Sequence, residues 1–359
     1  MSSRPLHSPT VSSPTGIMSP ATEDPKRLEG QVLDGRYRLE RWLGSGGMGA
    51  VYRAQQLSLM RPVAIKLLRP RCRLDYAHRR RFIREARVAS TIVHPNVTRV
   101  FDFGETTDGH IYLAMEYLPG QDLSRRLRRG GVLDWSRARS ILIQTVAGLE
   151  AAHEAGVIHR DIKPSNIFLV GEHEDEPDFV KVLDFGLAKA LDPESSMAEA
   201  LTMADEVMGT AQYMAPERVR GEEADVRSDI YSLGVMTYRM LSGVLPLWGT
   251  RGPVLRRLMR RLKEPPPALG ALVPGLPPTV SALVQRTMAR DASERFASLA
   301  ELTEALRATT AEGHAGSIRA PRTAVPSRPP SLGSAVFRDT RPLPTPSGSS
   351  GLHASSPPS

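Results

Sequence analysis

Two carboxylates, an amide, a lysine and an arginine crowd into His159-Arg160-Asp161-Ile162-Lys163-Pro164-Ser165-Asn166 and the Asp184-Phe185-Gly186 that follows. These residue types suit holding metal-bound phosphates beside an incoming hydroxyl. Asp161 can accept the hydroxyl's proton, and Lys163 can neutralise charge on a phosphoryl group in flight. Asn166 and Asp184 offer hard oxygen ligands to Mg²⁺, which prefers carboxylate and carbonyl oxygen. A polar turn between two strands would not require this set.

The elements that position these groups are legible on either side. Leu43-Gly44-Ser45-Gly46-Gly47-Met48-Gly49-Ala50-Val51-Tyr52 reads as strand, glycine-rich turn, strand. Glycines let backbone N–H groups approach phosphate oxygens with no Cβ in the way. In dinucleotide-binding folds a helix follows such a turn. Here the β-prone Val51-Tyr52-Arg53-Ala54 follows, then a further strand, Val63-Ala64-Ile65-Lys66. No Gly-Lys-Ser/Thr is present, which disfavours a P-loop. Lys66 on a buried strand needs a counter-charge, and Glu85 lies on the helical stretch from about Arg79 to Thr91.

Taken in order, the glycine loop, the V-A-I-K strand, the H-R-D-x-K-P-x-N loop and D-F-G resemble the protein kinases. Gly-Gly-Met-Gly in the loop and Gly209-Thr210-Ala211-Gln212-Tyr213-Met214-Ala215-Pro216-Glu217 give the resemblance a bacterial, Hanks-type serine/threonine flavour, and Lys163 two residues after Asp161 agrees. The resemblance covers roughly residues 37–307. It implies that Glu85 pairs with Lys66, orienting it toward the α and β phosphates, and that Gly44, Ser45, Gly46, Gly47, Met48 and Gly49 cover them. Leu43, Val51 and Ala64 become the apolar roof over adenine and Phe168 its floor. Met115 takes the gatekeeper position, Glu116, Tyr117 and Leu118 the hinge, and Asp122 the acidic position that often contacts ribose. Thr210 bonds the catalytic aspartate and lysine, Asp229 sits under the catalytic-loop backbone, and Arg295 partners Glu217. The cofactors implied are ATP with Mg²⁺ or Mn²⁺.

The expected fold is α+β and bilobal: an antiparallel N-lobe sheet with one main helix, and a mostly helical C-lobe. The kinase-like domain is expected at 32–308, with lobes of about 32–117 and 118–308. Strands are expected over Val97–Phe103 and His110–Glu116. Ala138, Ile141, Leu142, Thr145, Val146, Leu149 and Ala152 mark an amphipathic helix that ends at Gly156. Residues 1–31, rich in Ser, Pro and Thr, and 309–359, rich in Ser, Pro, Gly and Arg, lack apolar periodicity and are expected to be disordered arms.

At 359 residues, with 40% hydrophobic and 24% charged, the chain can bury a large core. A lone cysteine, Cys72, rules out an internal disulfide. No signal pattern or long apolar run is seen, so a soluble, cytoplasmic protein with no membrane span is expected. Much of the net +8 charge lies among arginines between Arg69 and Arg87. Without interleaved aromatics they do not favour nucleic acid. The reading is ATP-dependent phosphoryl transfer to Ser or Thr of protein substrates, switched by autophosphorylation of the segment from Gly186 to Glu217, with a transient dimer as the route to it. Thr202, Ser195 and Ser196 are the hydroxyls available there, and Arg160 the cation that would receive the phosphate. A small-molecule phosphotransferase shares the fold but generally lacks Ala-Pro-Glu. A pseudokinase scaffold usually loses Lys66, Asp161 or Asp184, and all three are present.

Overall fold

The computed structural model describes residues 25–46, 49–68, 86–106, 110–171, 177–185, 209, 211–249 and 253–309. The upper layer is a six-stranded antiparallel sheet of β1 (Val32–Leu33), β2 (Tyr37–Gly46), β3 (Gly49–Gln56), β4 (Arg61–Leu68), β5 (Val100–Glu105) and β6 (Ile111–Glu116), in the order β1-β2-β3-β4-β6-β5. In β2, Tyr37 and Leu39 alternate inward, but Trp42 is on the other parity. Register shifts between Leu39 and Arg41 and between Trp42 and Gly44 absorb the difference and turn Leu43 into the core. Gly49 opens β3 with φ 156°, and a Cβ there would lie 2.0 Å from the Leu67 carbonyl oxygen, so no side chain fits. In β4, residues from Val63 to Leu68 are all buried, which fits a central strand covered on both faces. Residues 86–91 are helical (α1).

The lower lobe is built on helices: α2 (Leu123–Gly130), α3 (Trp135–Glu154), α4 (Pro216–Val219), α5 (Val226–Ser242), α6 (Val254–Lys263), α7 (Pro278–Thr287) and α8 (Leu299–Ala308). A small sheet of β7 (Gly120–Asp122), β8 (Ile167–Val170) and β9 (Phe179–Val182) lies against α3. The Asp134 carboxylate caps α3 by accepting the Arg137 amide at 2.9 Å, and Gly156 follows its end at φ 75°. Helix α5 is apolar on every side and runs through the lobe's core; every residue from Ser228 to Tyr238 is buried. Each large apolar side chain buried there contributes about 1.5–3 kcal/mol. None of the described helices is long and apolar enough to cross a membrane.

The expected strand over Val97–Phe103 begins only at Val100. Its first residues belong to a turn docked on the lower lobe. The Asn96 side-chain Nδ2 donates to Val180 O at 2.8 Å, Asn96 O accepts the Val182 backbone N–H at 2.8 Å, and the Thr98 backbone N–H donates to Val182 O at 3.0 Å. Bonds to β9 replace the sheet ladder that alternation alone suggests.

Candidate active site

The cleft between the lobes is lined by Val51, Lys66, Thr98, Met115, Glu116, Leu118, Leu183 and Asp184. Leu43, Val51 and Ala64 from above pack with Met115, Leu118, Phe168 and Leu183 in one apolar cluster, a flat slot suited to an aromatic base. Sheet register fixes Lys66 on β4 between Val51 and Leu113. Its ammonium reaches Asp184 Oδ1 at 2.9 Å. Burial pushes the Asp184 carboxyl up, but the Lys66 ammonium, as charge and as hydrogen-bond donor, with Lys163 beside it, outweighs this and holds the group below its usual range. Asp184 therefore stays ionised, with one oxygen on Lys66.

On the catalytic loop, Lys163 Nζ lies 2.8 Å from Asp161 Oδ2. The Asn166 amide nitrogen donates to Asp161 O at 2.8 Å and to Asp161 Oδ2 at 3.2 Å. That use of the nitrogen fixes the amide's orientation and leaves its oxygen free to be a ligand. An amide oxygen and an ionised carboxylate beside two lysines fit a hard divalent cation carrying phosphate. Asn166 and Asp184 are the residues that would hold it.

The loop is held from below. Asp229 is fully buried and accepts the His159 amide at 3.0 Å, the Arg160 amide at 2.8 Å and His153 Nε2 at 2.9 Å. Arg160 has φ 64° and Asp184 φ 57°, left-handed backbone that costs about 1–3 kcal/mol unless surrounding bonds impose it. The Asp229 carboxylate imposes it at Arg160. His159 is fully buried; its Nδ1 accepts the Asp161 amide at 3.2 Å and its Nε2 donates to Leu183 O at 2.8 Å. That pattern assigns the neutral Nε2–H tautomer and ties the catalytic loop to the residue before Asp184. The Phe185 ring packs on His159 with centroids 4.9 Å apart. The Arg218 guanidinium donates to Arg160 O, joining α4 to the same loop.

Asp122 has a structural role of its own. Read as a ribose contact, it is 2% exposed and accepts the Arg125 amide at 2.8 Å as the cap of α2. Burial pushes its carboxyl up, against the bonds and arginines that lower it. Ser45 and the flanking glycines Gly44, Gly46 and Gly49 sit at the facing ends of β2 and β3. Gly47, Met48, Glu85, Thr210, Thr202, Ser195 and Ser196 lie outside the described residues. Sequence reasoning missed Thr98 and Leu183 on the cleft wall. It also missed Lys181, whose ammonium lies 2.7 Å from Glu116 Oε1 behind the hinge. A lone lysine in a short strand carries no signal of that reach.

Residues 37–307 match the family described as protein kinase domain. The chain belongs to the protein kinase family. Among curated relatives, this kinase is 40% identical over 291 residues to serine/threonine-protein kinase pkn3 of Myxococcus xanthus, covering 81% of this chain and 53% of that protein. It is 40% identical over 286 residues to serine/threonine-protein kinase PknA of Mycobacterium tuberculosis, covering 79% of this chain and 63% of that one. The kinase thus spans between about half and two thirds of these relatives' length. The crystal structure of the Mycobacterium tuberculosis PknI kinase domain superposes with a TM-score of 0.60 at 29% identity, over 78% of this chain and 98% of that one. The domain is a bilobal α+β serine/threonine kinase domain of the bacterial Hanks type, a family that works with ATP and a divalent metal ion.

Proposed function

We propose that the protein transfers the γ-phosphate of ATP to serine or threonine hydroxyls of proteins, with Mg²⁺ as the working cation, and that residues 32–308 carry this activity. The observation that carries the reading is the pairing of Lys66 with Asp184 at 2.9 Å and of Lys163 with Asp161 at 2.8 Å around one cleft. The bound cation would neutralise charge on the phosphates. Asp161 takes the proton of the acceptor hydroxyl, and Asn166 holds that carboxylate in place. Lys163 balances charge at the phosphoryl group, and Lys66 orients the nucleotide from the roof of the cleft. Glu116 and Leu118 present hinge backbone to the base, while Val51, Ala64 and Phe168 exclude water from it.

Arg160 supports switching by autophosphorylation: its Nε is buried and, among the described residues, has no hydrogen-bond partner. A phosphorylated hydroxyl of the segment from Gly186 to Glu217, Thr202 first and Ser195 or Ser196 after it, would give that nitrogen an anionic acceptor.

The test is transfer from labelled ATP by the full chain, beside Asp161→Asn and Lys66→Met. The unmodified chain should label itself or an added protein, while both variants melt normally and transfer nothing. Transfer by Asp161→Asn at a comparable rate would remove that residue from its role.

A further inference from the structure

Arg261 sits on α6 yet is only 2% exposed. It falls in the helix's inward stripe, since Val254, Leu258 and Arg261 follow at i, i+4 and i+7. A buried guanidinium usually meets a carboxylate. Among the described residues Arg261 meets none. It donates instead to three main-chain carbonyls: Ala211 O at 3.1 Å, Met214 O at 2.6 Å, and Gln212 O. Its other face lies over the Trp248 ring, 5.4 Å from the centroid. The one carbonyl of the run that it skips, Tyr213 O, accepts Ser232 Oγ of α5 at 2.9 Å. The Tyr213 hydroxyl is met by Arg239, also of α5.

Four consecutive carbonyls, outside any long helix, are thus each held by a side chain from α5 or α6. Three residues after Met214, Glu217 is locked to Arg295, and the next residue, Arg218, donates to Arg160 O beside Asp161. The run from Ala211 to Met214 is therefore fixed at its back along its whole length and joined to the catalytic loop at its exit. Gln212 and Met214 keep part of their side chains exposed. A rigid fork with several donors can set such a path, where water or a single ammonium would leave it several.

We propose that Arg261 is a positioning residue for the protein acceptor: it shapes Ala211–Met214 into the shelf that brings the acceptor hydroxyl to Asp161, without touching acceptor or nucleotide. The proposal rests on the phosphotransfer reading above.

The experiment uses the full chain with myelin basic protein as acceptor, comparing Arg261→Lys, Arg261→Met and Ser232→Ala with the unmodified protein. KM for acceptor, KM for ATP and melting temperature are measured on each. Arg261→Met should raise the acceptor KM roughly tenfold while the ATP KM stays within about twofold, because only the acceptor's seat is disturbed. Arg261→Lys should recover part of the loss, and Ser232→Ala, which frees one carbonyl only, should shift the same constant by less. If Arg261→Met does not fold, the split is read from the other two. Equal rises in both constants, or an unchanged acceptor KM in all folded variants, would make Arg261 a packing residue and end the proposal. No transfer by the unmodified chain would instead defeat the phosphotransfer reading itself.

Discussion

Glu217 and Arg295, 78 positions apart, are joined by two parallel hydrogen bonds of 2.9 and 2.7 Å inside the lower lobe. Ser228 Oγ donates to the same carboxylate at 2.6 Å, and Arg295 also reaches the carbonyls of Ala289 and Arg227. With Arg295 at 0% side-chain exposure and Glu217 at 7%, neither charge has water to fall back on.

Removing one partner leaves the other charge stranded. Arg295→Met should destabilise the domain by about 3–5 kcal/mol, whereas Arg295→Met with Glu217→Gln should recover much of that loss. Urea unfolding of the three proteins checks this. A double variant as weak as the single one would show that packing, and not the stranded carboxylate, sets the cost.

The same pair gives an acid limb to stability. Burial pushes the Glu217 carboxyl up, but the bonds from Arg295 and Ser228 prevail and hold it below the ordinary 4.5. The unfolded chain takes up this proton at a higher pH than the folded one. The contribution is therefore fully present above about pH 4.5 and is lost as pH falls through the lower, folded value. Melting temperatures between neutral and acid pH should fall for the unmodified protein and fall less for Glu217→Gln; parallel curves would contradict this.

Asp229→Asn tests the support beneath the catalytic loop. An amide can accept with one branch only, and its NH₂ would then face an N–H of the His159–Arg160 backbone. A loss of about 1–3 kcal/mol in stability is expected. Turnover should fall more than ATP affinity, because Asp161 loses its fixed position while the roof of the cleft is untouched. Normal kcat in a folded Asp229→Asn protein would free the loop from this dependence.

For the activation switch, Thr202→Ala should cut acceptor turnover while leaving nucleotide binding nearly unchanged. Phosphosite mapping of the active chain beside Asp161→Asn is the direct readout. Full activity with no phosphate on Thr202 would leave Arg160 without the partner assigned to it.

The catalytic loop, the strands either side of the glycine turn and the buried helix α5 could be read in advance because each depends on local residue type: glycines where β2 gives way to β3, apolar residues through a core helix, and acids, an amide and lysines gathered at one cleft. The cap made by Asp122 was not legible, because one carboxylate at the start of a helix serves a cap as readily as a ligand. Lys181 and Arg261 were silent for another reason. Their partners are a hinge carboxylate 65 positions away and backbone carbonyls 47 to 50 away, and carbonyls carry no residue identity to search for. Val97 and Thr98 were read as strand because their alternation is real, but pairing with β9 takes them out of the upper ladder, while Arg99 already bonds Glu116.

That last departure bears on how the two lobes are joined. Asn96 is wedged so closely against α3 that a Cβ on Gly148 would lie 2.8 Å from its carbonyl oxygen. Residues 96–98, although they lead into the upper sheet, are bonded to the lower lobe. The chain thus passes between the lobes three times, before Asn96, before Val100 and after Glu116, and each passage is a covalent tie across the cleft. A cut at residue 117 alone would leave the upper body still pinned.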